Sequence, residues 1–109
     1  MKVNELISLA SFSPIIIPDP ERELVGAYAG DLLSWVMGRA QEDNAWITIM
    51  SNVNVLAVAT LADVSCVIFA EGVQPDAELV SVAEEKKINL ISTDLPIFEA
   101  SVALGGALK

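Results

Sequence analysis

The chain has 109 residues, and its 15 acidic and 6 basic side chains give it a formal net charge of −9 at pH 7. Hydrophobic residues make up 53% of the chain, which is too large a share for a disordered acidic segment. This length and composition predict one folded domain over residues 1–109.

The residue types that are missing exclude several kinds of active site. The chain has no histidine and one cysteine, Cys66, so it cannot build a Cys/His zinc site, a Ser-His-Asp triad or a Cys-His pair. Cys66 lies between apolar residues, and we expect it to be an inert core thiol. A single thiol, together with the lack of an apolar secretory signal near the amino terminus, favours a cytoplasmic protein.

The charge pattern does not favour binding to nucleic acid or to an anionic membrane surface. The basic residues are scattered, and the one adjacent pair, Lys86-Lys87, follows two glutamates, whereas phosphate binding needs clustered lysine and arginine. The longest apolar stretch, Val53–Ala70, has about the length of a membrane span but contains Asp63. We therefore expect a buried helix followed by a buried strand in this stretch.

The first part of the chain predicts two helices and two strands. Apolar residues at helical spacing predict a short helix over 3–10, and a β-branched run predicts a strand over 15–17. A second strand is predicted over 24–29. Asp31 then stands at the position of a helix N-cap, and the apolar spacing predicts a helix over 32–40.

The rest of the chain alternates between strands and helices. Strands are predicted over 45–50, 64–70 and 88–91, and helices over 53–61, 76–87 and 96–104, the last of them ended by Gly105-Gly106. This alternation is typical of crossover units that build a parallel sheet, and the nearly continuous apolar strands indicate that both faces are covered. The predicted fold class is α/β, with three layers (α/β/α) and a mostly parallel central sheet.

Polar or glycine residues follow each of four predicted parallel strands. They are Gly30-Asp31, then Ser51-Asn52 with Asn54, then Glu71-Gly72, and finally Ser92-Thr93-Asp94. Because ligands bind beyond the carboxyl ends of parallel strands, we expect these residues to gather along one edge and to bind a small molecule. Several helix N-termini would point towards that edge, which favours an anionic ligand. The predicted ligand-binding residues are Asp31, Asn52, Asn54, Glu71, Gly72 and Thr93.

Two other interpretations of these residues remain open. Asp31, Asn52 and Asp94 could serve only as caps of the helices that follow them, because Asp and Asn are ordinary N-cap residues. Asp31, Glu71 and Asp94 could instead converge as acid–base catalysts or hold Mg²⁺, although the chain has no evident nucleophile paired with a base. Neither a P-loop nor a three-glycine dinucleotide motif is present, and no cofactor or metal is predicted.

The two tryptophans, Trp35 and Trp46, are large side chains for so short a chain. Each could pack in the core or lie in a subunit interface, where tryptophan is enriched. The mean hydropathy of +0.54 is high, and a small domain of this kind has apolar surface to cover. We therefore expect a homodimer.

Several segments resemble the DRTGG domain family. The core of the resemblance runs from Ala45 to Asp76, with Gly72 and Pro75 in the loop that follows a strand, and Ser92-Thr93 and Phe98-Glu99 continue it. Segments near the amino terminus also look similar to stand-alone members, so the resemblance covers most of the chain. It implies a three-layer α/β fold and a regulatory or dimerising role.

The chain is also similar to the amino-terminal domain of HPr kinase/phosphorylase. The kinase chemistry of that relative belongs to a separate P-loop domain, so the resemblance implies no enzyme activity. The family's name-giving Asp-Arg-Thr-Gly-Gly turn is replaced here by Ser51-Asn52-Val53-Asn54. We interpret the chain as a non-catalytic regulatory or ligand-sensing module that dimerises and acts with a partner protein or a small metabolite. The alternative is a small enzyme that uses the carboxylates of Asp31, Glu71 and Asp94.

Overall fold

Five short strands form the central sheet of the computed structural model, which describes residues 1–109. They are β1 (Ser13–Ile16), β2 (Gly26–Ala29), β3 (Asn44–Thr48), β4 (Cys66–Phe69) and β5 (Asn89–Ser92). Their order in the sheet is β1-β5-β4-β3-β2, with β2 to β5 parallel to one another and β1 antiparallel to β5. The sheet is therefore mostly parallel, as the sequence predicts.

Five helices cover the two faces of this sheet. They are α1 (Val3–Leu6), α2 (Leu33–Arg39), α3 (Asn54–Ala62), α4 (Ala77–Lys86) and α5 (Ile97–Ala107). Side chains of α1 and α5 pack on one face, and side chains of α2, α3 and α4 pack on the other. This arrangement confirms the predicted three-layer α/β/α architecture.

Two neighbouring inner strands, β3 and β4, divide the core into two clusters. Successive side chains of a strand point to opposite faces, so Ile47 and Ile68 pack towards α1 and α5. Trp46 and Phe69 pack towards the other three helices. Every side chain of β4 is buried, and only the first side chain of β3 is not, which explains the continuous apolar runs in the sequence.

The amino-terminal boundaries differ from the prediction. The first helix ends at Leu6 instead of residue 10, because the chain turns to place Phe12 in the core, where it is 3% exposed. β1 then starts at Ser13 and includes Pro14. Proline has no backbone N–H to donate to a neighbouring strand. An edge strand tolerates it, because no strand lies on its outer side to accept such a bond.

The apolar stretch Val53–Ala70 is divided between α3 and β4, as the sequence predicts, and Asp63 ends α3 in a left-handed conformation with φ 57°. None of the five helices has the length and apolar character that crossing a bilayer requires. The last helix is longer than predicted. It continues through Gly105-Gly106 to Ala107, because glycine weakens a helix without forcing it to end.

Asn89, the first residue of β5, ties two loops together at the amino end of the sheet. Its side-chain oxygen accepts a hydrogen bond from the backbone N–H of Asp19 at 2.9 Å. Its side-chain nitrogen donates to the backbone oxygens of Asp19 and Ser65, each at 2.9 Å. Asn89 is 1% exposed, so water cannot easily replace these bonds if the amide is removed.

We expect Asn89→Ala to lower the free energy of unfolding by about 3 kcal/mol, because three backbone groups lose a buried partner. Urea denaturation measures this change. Asn4→Ala is the matched control, since Asn4 is exposed, and it should change the free energy by less than about 0.5 kcal/mol. Equal effects of the two substitutions would contradict the tying role of Asn89.

Cys66 lies on β4 with no exposed surface, which confirms it as a core residue. Burial raises the pKa of its thiol to about 12, because the thiolate is poorly solvated inside the protein. The thiolate is the reactive form, so this thiol is almost entirely protonated at neutral pH.

In native protein at pH 8, a disulfide reagent should modify Cys66 at least about a hundredfold more slowly than in the urea-unfolded chain. The rate of absorbance change after mixing measures both reactions. Rapid modification of the folded protein would show that the strand opens readily or that the thiol is not buried.

Candidate functional site

The carboxyl ends of β2, β3, β4 and β5 lie at one edge of the sheet, which we call the carboxyl edge, because these four strands are parallel. The predicted ligand-binding residues all follow these ends. Asp31 follows β2, Asn52 and Asn54 follow β3, Glu71 and Gly72 follow β4, and Thr93 follows β5. The structure brings them to one edge, but their contacts divide them into separate groups.

One cavity opens at the carboxyl edge, where the end of β5 meets the start of β1. Its volume is about 280 Å³ and its lining is mostly polar. The lining residues are Ala10, Ser11, Ser13, Ser92, Thr93, Asp94 and Leu95. Among the predicted ligand-binding residues, Thr93 alone lines this cavity, so the other five lie elsewhere along the edge.

Thr93 is the most enclosed polar residue of the cavity, with 3% of its surface exposed. Its backbone N–H donates to the oxygen of Phe69 at 3.0 Å, which continues the pairing of β4 and β5. Its hydroxyl oxygen accepts a hydrogen bond from the backbone N–H of Leu95 at 3.2 Å. The hydroxyl hydrogen donates to no other residue, so it is free to donate to a ligand.

The loop after β4 supports the segment that lines the cavity. The backbone N–H of Glu71 donates to the oxygen of Leu95, and that of Gly72 donates to the oxygen of Thr93, each at 3.0 Å. Glu71 and Gly72 both have positive φ, at 60° and 73°, and only glycine adopts this conformation without strain. Glu71 and Gly72 therefore position Thr93 through their backbones, and the Glu71 side chain is exposed.

Asp31 does not cap α2, so that part of the prediction is wrong. The helix starts at Leu33 with no side-chain cap. A carboxylate oxygen of Asp31 instead accepts hydrogen bonds from the hydroxyl of Thr48 at 2.7 Å and from the backbone N–H of Ile49 at 2.9 Å. Asp31 thus joins the end of β2 to the end of β3, because the parallel strands place Thr48 within its reach.

Asn52 and Asn54 form the turn that leads into α3. The side-chain oxygen of Asn52 accepts a hydrogen bond from the backbone N–H of Asn54 at 2.9 Å. This bond closes a local turn, but the N-cap position belongs to Val53 and α3 has no side-chain cap, so the predicted capping role of Asn52 is wrong. Both side chains are exposed, and the Asn54 side chain makes no hydrogen bond within the chain. Neither residue lines a cavity.

The acidic residues of the carboxyl edge do not gather into a group of three. No three side chains of the types that ligate metals lie close enough together to hold an ion, so Asp31, Glu71 and Asp94 do not converge. In the cavity, Asp94 is the one charged residue, and there is no lysine or arginine. This lining favours a neutral or cationic ligand, in contrast to the anionic ligand predicted from the helix N-termini.

The sequence prediction does not include two cavity residues, Ser11 and Ser13, whereas Ser92 belongs to one of the predicted polar junctions. Ser13 reaches the carboxyl edge because β1 is antiparallel to β5 and places Ser13 opposite Ser92. The rule for parallel strands considers only strand ends, so it overlooks the start of an antiparallel strand. The cluster of serines over residues 8–13, just before the β-branched run, was the available signal.

We expect Asp31→Ala to lower the free energy of unfolding by about 2 kcal/mol, because the Thr48 hydroxyl and the Ile49 N–H lose their acceptor. Glu42→Ala, which removes an exposed carboxylate, should change it by less than about 0.5 kcal/mol. Urea denaturation of both variants tests the structural role. An Asp31→Ala protein as stable as the wild type would contradict this structural role.

Comparison with known proteins bears on this fold. No family model and no curated protein matches the chain. The chain is similar to the solved structure of the CBS and DRTGG domains of the regulatory region of Clostridium perfringens pyrophosphatase, complexed with the activator diadenosine tetraphosphate. The TM-score is 0.67 at 18% identity, and the match covers 92% of this chain but 43% of that chain. This likeness shows the fold and supports the DRTGG-related fold suggested by the sequence.

Proposed function

We propose that the protein is a non-catalytic regulatory module that binds a small neutral or cationic molecule in the cavity between β5 and β1. It acts in the cytoplasm as a homodimer together with a partner protein. The observation that carries the proposal is the cavity itself, in which the buried Thr93 hydroxyl has a free hydrogen.

The lining of the cavity supports a polar ligand. The hydroxyls of Ser11, Ser13 and Ser92 can each donate and accept a hydrogen bond, and Asp94 can accept from an ammonium or hydroxyl group. The volume of about 280 Å³ is at the small end of ligand pockets. These properties suit a compact polar metabolite, and the lack of a basic residue disfavours a polyphosphate.

The contacts behind the cavity suit a regulatory role. Thr93 and Leu95 accept hydrogen bonds from the loop that leads from β4 towards α4. A ligand that holds Thr93 would stabilise that loop, and a partner protein could bind the loop in its ordered state. The similar pyrophosphatase structure, a regulatory region complexed with an activator, also supports regulation by a small molecule.

The chemistry of the site supports a non-enzymatic function. Serine needs an adjacent base to become a nucleophile, and the cavity offers no histidine or lysine. The carboxylates of Asp31, Glu71 and Asp94 do not lie together as an acid–base group. The alternative of a small enzyme therefore lacks a geometry that would support it.

We expect a compound from a panel of nucleosides, amino acids, sugars and polyamines to raise the melting temperature, since a ligand that binds only the folded state stabilises it. Thr93→Val should weaken the binding of that compound at least about tenfold, because the buried hydroxyl is lost while the shape of the side chain is kept. Thr60→Val is the matched control, since Thr60 is exposed on α3, and it should bind as the wild type does. Fluorescence-monitored melting at graded concentrations measures both effects.

Three results would contradict the proposal. Equal binding by wild type and Thr93→Val would place the site outside the cavity. Stabilisation by ATP or diadenosine tetraphosphate alone would contradict the assigned ligand class. If the protein converts a panel compound into a product and Asp94→Asn abolishes that reaction, the result would support the alternative of a small enzyme.

A further inference from the structure

The outward face of α5 is unusual for a surface helix. Ala100 and Leu104 are buried against the sheet, and Phe98 and Val102 are 73% and 57% exposed. The helix has one charged residue, Glu99, in a chain of net charge −9. A helix that is apolar on both sides is normally covered on both sides, and nothing in this chain covers the outer face.

The outer face is also divided into a bulky half and a small half. Phe98 and Val102 lie in the first half of α5, and Gly105 and Gly106 lie in the second half. A Cβ added to either glycine would meet nothing within 4 Å, so no contact inside the chain requires glycine there. Both glycines weaken the helix relative to alanine, and the chain alone offers no compensating contact.

We infer that a second copy of this chain covers this face, with the two α5 helices antiparallel across a two-fold axis. In that arrangement, Val102 faces its symmetry mate near the axis, Phe98 of one copy lies over the Gly105-Gly106 segment of the other, and the reverse contact is made at the same time. A two-fold interface requires such self-complementarity, and glycine lets two helices approach closely while bulky side chains fill the space above it.

The charges of the helix agree with the antiparallel arrangement. Glu99 lies in the first turn of α5, and Lys109 follows its last turn. Antiparallel pairing brings Glu99 of one copy towards the carboxyl-terminal end of the other helix, where the partner's Lys109 lies. It also sets the two helix dipoles in opposition, which is favourable. Because the chain carries a net charge of −9, self-association costs less on a face that, like this one, is poor in charge.

This inference deepens the homodimer of the proposed function and does not depend on the ligand. The cavity precedes α5 in the chain, and the pairing uses the outward face of the helix. If no compound binds, the proposed dimer is unaffected. If the protein is a monomer, ligand binding to the cavity can still be tested in that monomer. The two proposals can therefore fail separately.

Sedimentation equilibrium tests the pairing. The wild type should be a reversible dimer at micromolar concentration, and Val102→Glu should raise the dissociation constant at least about a hundredfold, because it buries two like charges near the axis. Leu61→Glu is the matched control, since Leu61 is 68% exposed on α3, and it should dimerise as the wild type does. A monomeric wild type, or a dimer that Val102→Glu leaves unchanged, would overturn the inference.

A double substitution, Gly105→Ala with Gly106→Ala, separates dimerisation from folding. Alanine should raise the urea midpoint of the monomer, measured in the Val102→Glu background, because it favours the helix. In the wild-type background the same change should weaken the dimer at least about tenfold, because added methyl groups hold the helices apart. Unchanged or tighter dimerisation would overturn the close approach.

Disulfide formation gives a direct geometric test. Since Cys66 is buried, Val102→Cys introduces the single accessible thiol and places it close to its symmetry mate. Mild oxidation should then link most of the protein as a covalent dimer, while Leu61→Cys should link only by slow collision. Equal linking of the two variants would overturn the placement of the axis near Val102.

Discussion

Burial of β3 and β4 from both sides is the constraint on which the rest of the structure depends. These two strands carry apolar side chains on both faces, so helices must cover both faces of the sheet. A helix connects each strand from β2 to β4 with the next strand, and β2 to β5 are parallel. The parallel strands bring four polar chain segments to one edge. The carboxyl edge is therefore a consequence of how the core is buried.

Polar residues at the two ends of the sheet serve different purposes. At the amino end, the Asn89 amide is fully used by backbone partners, and Arg22 bonds to Asp43 and Asp63 at 2.9 Å. Burial lowers the pKa of Arg22, but these hydrogen bonds outweigh it and raise the pKa above its usual value. At the carboxyl end, Thr93 keeps a hydrogen-bonding capacity that the chain does not use.

The fold class could be predicted from the sequence because strand and helix periodicities alternate clearly after residue 44. The boundaries near the amino terminus could not, since the position of Phe12 depends on tertiary packing. At the site, the rule for parallel strands found Thr93 and the supporting loop of Glu71 and Gly72. It could not tell that Asp31 bonds to Thr48, because that contact joins two strands. Ser13 of β1 was missed because its strand runs against the others.

The pairing of β1 with β5 joins two strands that lie near opposite ends of the sequence, with Ser13 opposite Ser92. Contacts between such distant segments form slowly, because a long loop must close first. During synthesis, β1 leaves the ribosome early and has no strand to pair with until β5 has emerged. The serine- and threonine-lined cavity therefore forms only after the chain has been made through β5, and a chain that stops before β5 cannot form it.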